Sequence, residues 1–294
     1  ESVEIPANKN IKLDLQGHTI AAASGFTGRP ITNKGTLTIT GDGTITSENS
    51  GTNATGAVNN EGTLTIESGT FSGPAEVNGM AINNRAAGNL HIIGGTFNGC
   101  PRGIQNVGTL VVDGGTFIGT DSYSAGKEGN GIVCGNGAHT TINDGEFTGD
   151  LNAVSNMDNG NCTLIINGGT FTSNGSDGSG AIYNGPGNTL TIEDCNASTS
   201  GNAGSTVCNR GTATINGGSF VGDNCLAKTY TINSGQTSVA GSSLVLGEDA
   251  VVTGTFGAVR VVSGSGTING GSYKVVDCDN HSGSDFYALY VASE

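Results

Sequence analysis

One phrase recurs along this chain. "NNEGTLTIESGTFSG" occupies residues 59–73, and paraphrases stand on either side of it: "NKGTLTITGDGTITS", "QNVGTLVVDGGTFIG", "GNCTLIINGGTFTS" and "NRGTATINGGSFVG". The last apolar residue of each unit runs Ile20, Ile45, Phe71, Phe97, Phe117, Phe147, Phe171, Ala197 and Phe220, then more loosely to Phe256 and Tyr273. The spacing up to Phe220 varies between 20 and 30 residues with a mean near 25. A period of this length marks a repeat architecture in which each unit buries its apolar face against the next.

Each unit holds three short β-like pieces, such as "GAVNN", "GTLTIE" and "GTFSG", separated by tight breaks. The breaks lack the regular two-residue reversals of a meander of hairpins. Three strands per turn of a coil do fit, each pairing in parallel with its equivalent one coil on, at ~4.8 Å. The expected fold is therefore all-β, a single parallel β-helix of about eleven coils. It would be roughly 50 Å long at that spacing. In the second strand, Leu37/Ile39, Leu64/Ile66, Leu90/Ile92, Leu110/Val112, Leu164/Ile166, Leu190/Ile192 and Ala213/Ile215 alternate and should point inward. Phe71, Phe97, Phe117, Phe147, Phe171 and Phe220 form a third-strand column whose stacked rings fill a narrow tube.

After the first strand stand Asn33, Asn60, Asn84, Asn106, Asn156, Asn184 and Asn209, with Cys134 replacing one rung. Asparagine tolerates the left-handed backbone of a sharp corner. Its amide also donates and accepts, so identical side chains can bond up the stack. The column is expected to be structural.

Composition removes other classes. Glycine at 52 of 294 residues without a three-residue period excludes collagen, and scheduled Thr, Ile, Val and Phe argue against disorder. A net charge of −14 opposes nucleic acid and anionic membranes as partners. No apolar run approaches the ~20 residues that cross a bilayer, so no membrane insertion is expected. Seven cysteines lack any C-x-x-C spacing, which disfavours a zinc site or a redox dithiol. Cys208 and Cys225 are the one pair expected to share a column of neighbouring coils, within disulfide reach, and whether they bond is left open. The odd total and irregular placement favour small buried apolar roles for most of the seven.

The Asn column, the three strands per coil and the Phe stack resemble right-handed parallel β-helices of the pectate-lyase-like superfamily. Phrases such as "IPANKNIKLDLQGHTI" and "GTLTI" followed by "GTF" resemble repeats in large surface proteins of Gram-positive, often gut-dwelling, bacteria. The resemblance spans almost the whole chain and implies one domain over residues 1–294. Both ends look cut, as in a fragment of a longer surface protein. It implies fold more than function, because this helix carries lyases, hydrolases, adhesins and spacers alike.

Enzymes of this class need clustered carboxylates with a calcium ion and an Arg or Lys base, or closely set Asp residues. The five arginines, Arg29, Arg85, Arg102, Arg210 and Arg260, share no outward column with several acids. Glu67, Asp113 and Glu193 share a column with Asn143, Asn167 and Asn216, but Ile93 stands between the first two. Acids and amides before a glycine pair are also what a turn favours. No catalytic residue, cofactor or metal ligand is assigned. The outward Thr36/Thr38, Thr63/Thr65, Thr189/Thr191, Thr212/Thr214 and Thr229/Thr231 suit an ice-binding face, although Asn89/His91, Val111, His139 and Ile165 interrupt it.

Outward on the first strand run Thr32, Asn59, Asn83, Gln105, Val133, Ser155, Tyr183 and Cys208. Amides and a tyrosine are groups that sugar hydroxyls and ring faces prefer. Asn59, Asn83, Gln105, Ser155 and Tyr183 are the candidate ligand contacts, with Tyr123 from the long insert "IGTDSYSAGKEGNG". The expected role is a non-catalytic adhesin or rigid stalk, extracellular or attached to a bacterial cell wall, and monomeric. Its partner would be a host or dietary glycan or a surface protein. A polysaccharide lyase or glycoside hydrolase is the alternative.

Overall fold

Alternation of apolar and polar residues in runs of three to five, cut by glycine corners, yields strands and no helix among the described residues. The computed structural model describes residues 2–22, 26, 28–47, 56–75, 78–120, 129–157, 160–175, 180–200, 204–223, 230–235, 241–276 and 287–291. Tyr123, Cys225 and Cys278 lie outside them, and with them the Cys208–Cys225 pairing. The chain is a parallel β-solenoid. Its first strands form one sheet of twelve, from Val3–Ile5 to Tyr287–Val291. The second and third strands stack as two further columns, which merge where Thr212–Gly222 and Ser243–Gly254 run unbroken from one into the next.

The solenoid makes about nine turns, slightly fewer than the expected eleven. The two end turns have a neighbour on one side only. Their strands are correspondingly open: Ser265–Ile268 is exposed throughout, and Asn10–Asp14 at four of five positions.

Register follows the repeat. Leu37, Leu64, Leu90 and Leu110 pair in sequence, as do Ile39, Ile66, Ile92 and Val112. All are buried, as are Ile31, Val58, Ile82, Ile104 and Ile132 of the first strands. Phe71, Phe97, Phe117, Phe147 and Phe171 stack with centroids 5.2, 4.8, 4.7 and 4.7 Å apart and planes within 11°. Ala197 interrupts the stack before Phe220. Past that point the column continues through Val252 to Tyr273, not through Phe256. Phe256 instead lies edge-on to Tyr230. The turn into five of the third strands needs glycine, since Gly69, Gly95, Gly115, Gly169 and Gly218 all hold φ between +104° and +110°, while Cys195 and Ala250 take the equivalent place in two others.

The Asn column is fully buried and continuous in both directions from its one break. Asn33 donates to Asn60 at 2.8 Å, Asn60 to Asn84 at 2.8 Å and Asn84 to Asn106 at 2.7 Å. Beyond the break, Asn156 donates to Asn184 at 2.9 Å and Asn184 to Asn209 at 2.8 Å. Each amide nitrogen of this second run also reaches a backbone carbonyl of the following strand, as Asn184 does with Thr212 at 3.1 Å. None of these residues has positive φ. The left-handed-corner rationale therefore fails, and hydrogen bonding alone explains the column. Each of these asparagines is the last residue of its strand, so its amide holds the corner that follows.

The break is repaired from another strand. Cys134 cannot accept an amide bond well, and Asn106 Nδ2 turns to Thr140 Oγ1 at 2.9 Å. Thr140 sits in the inward column between Leu110 and Leu164, only 2% exposed, with its hydroxyl 3.1 Å from Cys134 Sγ. A polar residue there has one evident role, to satisfy the amide that the missing rung leaves behind. The repair is one-sided, because Asn156 Oδ1 is buried without a partner.

Candidate functional site

The first sheet carries the outward column expected from sequence. Strand pairing aligns Thr32, Asn59, Asn83, Gln105, Val133, Ser155, Tyr183 and Cys208 rung by rung. It then extends the column to Asn233, Arg260 and Tyr290. The sequence reading stops at Cys208 because the corner Asn gives way to Ser234 and Val261, which removes the landmark for aligning later coils. The weak signal that could have extended it is the first-strand phrase "GAVRVV", with Arg260 two places before Val262 as Gln105 is before Val107.

The column is not uniformly open. Asn59, Asn83 and Ser155 are 2%, 4% and 7% exposed, whereas Gln105, Tyr183, Asn233, Arg260 and Tyr290 are half-buried. Asn59 donates to Glu61 at 2.8 Å and accepts from Asn83 at 3.2 Å. Gln105 accepts from the Arg102 guanidinium at 3.0 Å. These amides are largely spent on their neighbours. Tyr123 lies outside the described residues.

The more accessible chemistry sits toward the other end. The Arg210 guanidinium donates to the Tyr183 hydroxyl at 3.1 Å and lies 5.3 Å from that ring's centroid. The Arg260 guanidinium carbon lies 5.8 Å from the Tyr230 ring and 5.5 Å from the Tyr290 ring. Tyr290 in turn packs on Tyr287 at 5.8 Å. All five arginines stand on or beside the first sheet: Arg29 enters the strand Ile31–Asn33, Arg85 and Arg210 follow strands, and Arg102 and Arg260 lie within them. Arg29 is half-buried, and burial, with Arg85 nearby, pulls its guanidinium below the ordinary arginine value.

The acids of the second corner are held by a lysine, a histidine and amides of neighbouring coils. Lys12 Nζ reaches Glu67 at 3.2 Å. Asn143 Nδ2 donates to Asp113 at 2.7 Å, Asn167 to Asn143 at 2.8 Å, and Asn216 to Glu193 at 2.8 Å. His91 Nε2 lies 2.6 Å from the other Asp113 oxygen. The Asn143 hydrogen bond, followed by that of His91, holds the Asp113 carboxyl below its usual range. Glu67 and Asp113 are thus each held by different partners, with the exposed Ile93 in the corner between them. The result is a surface ladder of carboxylates and amides.

The threonine face is more regular on the third strand than on the second. Thr19, Thr44, Thr70, Thr96 and Thr116 pair consecutively. On the second strand, Thr231 does not belong to the outward array. It is buried in Tyr230–Ser234 of the first sheet and donates to the Thr253 carbonyl at 3.1 Å. Its presumed partner Thr229 lies outside the described residues. Burial drives the Cys100 thiol up to about 11 and the Cys134 thiol up to about 12, and pushes Cys195 further in the same direction. No helix of the described residues is long and apolar enough to cross a membrane. Compared with family models, with curated proteins and with solved structures, the chain finds no match in any of the three.

Proposed function

We propose that the chain is a non-catalytic segment of a secreted or wall-attached bacterial surface protein of the pectate-lyase-like β-helix type. It acts as a stiff adhesin that meets a glycan or a protein partner on the outer face of its first sheet. One observation carries the reading: a single outward column stays in register from Thr32 to Tyr290 and gathers amides, two tyrosines and Arg260. A frame braced by a buried amide ladder and a ring stack holds such groups at coil spacing without an ordering cost at binding. Many weak contacts along it gain strength when copies crowd a surface.

The test is paired. The purified chain is applied to a glycan array and to immobilised extracellular-matrix and mucin proteins. It is also incubated with pectin, polygalacturonate and neutral plant glycans, with and without calcium. Binding without new reducing ends or unsaturated products is the expected result. Products that vanish on Glu67→Gln or Asp113→Asn would replace the adhesin with the enzyme.

A second reading draws on the unbroken third-strand run of Thr19, Thr44, Thr70, Thr96 and Thr116. Hydroxyls and methyls repeating at ~4.8 Å on a flat sheet would match an ordered lattice such as ice. Thermal hysteresis abolished by Thr70→Tyr and Thr96→Tyr would establish it.

A further inference from the structure

We propose that the first-sheet side of the solenoid docks on the corner between the second and third strands of another copy, joining copies side by side in parallel. The inference goes beyond the adhesin reading, which stands whether or not copies pair.

Charge is divided between two sides of the molecule. Among the described residues, seven of nine lysines and arginines lie on the first sheet or the corners flanking it, against four of fourteen acids. The other two cations and ten acids belong to the second and third strands and the corner between them. A cationic side and an anionic side on one chain are complementary surfaces for two copies. The net charge of −14 repels copies at long range. Screening confines that repulsion to about 8 Å at physiological salt, so the local arrangement decides at contact.

The spacing of the two sets matches. Arg85 follows the fourth strand of the first sheet, Arg210 the ninth, and Arg260 lies in the eleventh. In the acidic corner Glu67 follows the third of the second strands and Asp194 stands after the eighth, while Glu248 and Asp249 belong to the tenth coil. Both series step by five coils and then two, so a shift of one coil between parallel neighbours sets all three arginines against acids. The same shift sets Arg29 against Asp14 and leaves Arg102 alone against an uncharged corner, at Ile93. Without the shift only Arg29 and Arg102 meet acids, Asp42 and Asp113. From the fourth coil to the eleventh the contact runs roughly 34 Å. Arg85, Asp194, Glu248 and Asp249 are exposed, and tyrosine stacking fixes the planes of Arg210 and Arg260 for pairing with a carboxylate. Each exposed pair is weak alone, but one stiff frame aligns them together. Parallel orientation is also the one that copies anchored by the same end share.

The experiment follows molar mass against concentration by sedimentation equilibrium of the full chain, at about 0.15 M salt and at about 1 M, where the screening length falls to about 3 Å. Wild type should associate at the lower salt and lose the association at the higher. Two double variants separate docking from net repulsion. Arg85→Glu with Arg210→Glu changes the sheet side and takes the net charge from −14 to −18, two units for each reversal. Asp194→Lys with Asp249→Lys changes the corner and takes it to −10. Repulsion alone would make the first associate less than wild type and the second more. Docking makes both associate about tenfold more weakly or worse. Their equimolar mixture, where the intact sheet of one meets the intact corner of the other, should regain the affinity but stop at pairs, because a head-to-tail contact continues only when every copy carries both surfaces. Circular dichroism must be unchanged in both, and Arg85→Glu alone, at an exposed position, guards against loss of fold through the Tyr183 contact of Arg210. Three results would overturn the proposal: wild type monomeric at every concentration, association that survives the higher salt, or a corner variant that associates more tightly than wild type. Each of them leaves the adhesin reading untouched.

Discussion

The broken rung at Cys134 offers a sharp test of what the Asn ladder contributes. Between successive asparagines an amide nitrogen donates to the next amide oxygen at 2.7–2.9 Å. At Cys134 the incoming donor from Asn106 is diverted to Thr140, and the outgoing acceptor, Asn156 Oδ1, is buried with no partner. Cys134→Asn supplies both missing groups. Satisfying one buried acceptor gains about 1–3 kcal/mol. Thr140, whose hydroxyl already lies 3.1 Å from the thiol, would then crowd the longer side chain, and overpacking costs about 1–3 kcal/mol. The single substitution should therefore be close to neutral. Thr140→Leu alone restores the apolar column between Leu110 and Leu164 but deprives the Asn106 amide of its acceptor, at a cost of about 1–3 kcal/mol. Together the two recreate the pattern of the other coils and should exceed wild-type stability by about 1–3 kcal/mol. The coupling implied by these figures is about 2–6 kcal/mol, at or beyond the upper end for residues in contact. Urea titrations of the four proteins, with matching slopes, measure it. Additive effects, or a double variant less stable than wild type, would refute the account of the ladder.

Other outcomes follow from the same geometry. Phe117→Ala, at the middle of the ring stack, should cost about 3–5 kcal/mol, and Phe117→Leu clearly less, as read by denaturant midpoint. The depressed Asp113 carboxyl contributes stability that is present above the ordinary carboxylate value and is lost as pH falls through its lower folded value. Both Asp113 and His91 are exposed, so Asp113→Asn should change stability by no more than about 1 kcal/mol at neutral pH and should flatten the acid limb of a pH–stability curve. Cys100, Cys134 and Cys195 should resist a thiol reagent at mildly alkaline pH in the native state and react fully in denaturant, read by mass spectrometry of labelled peptides.

The sequence by itself determined the two inward columns of the second strand, the positions of the buried asparagines and the Phe stack. In a solenoid each residue's spatial neighbour is its equivalent one repeat away, so contact is written as similarity along the chain. That is why the pairing of Leu64 with Leu90, or of Asn59 with Asn83, could be read without coordinates. Only the tertiary structure decided matters that similarity does not encode. It showed that Asn59, Asn83 and Ser155 are screened while Tyr183 and Arg260 keep part of their surface, since exposure depends on what lies over a rung and not on the rung itself. It brought Thr140 to Cys134, where a departure in one strand is answered by a departure in another and neither matches the repeat. It also placed Arg260 between Tyr230 and Tyr290, thirty residues away on either side. There the corner asparagine has gone and the coils have changed length, so the register is set by backbone hydrogen bonding and packing in three dimensions rather than by a phrase that could be recognised in the sequence.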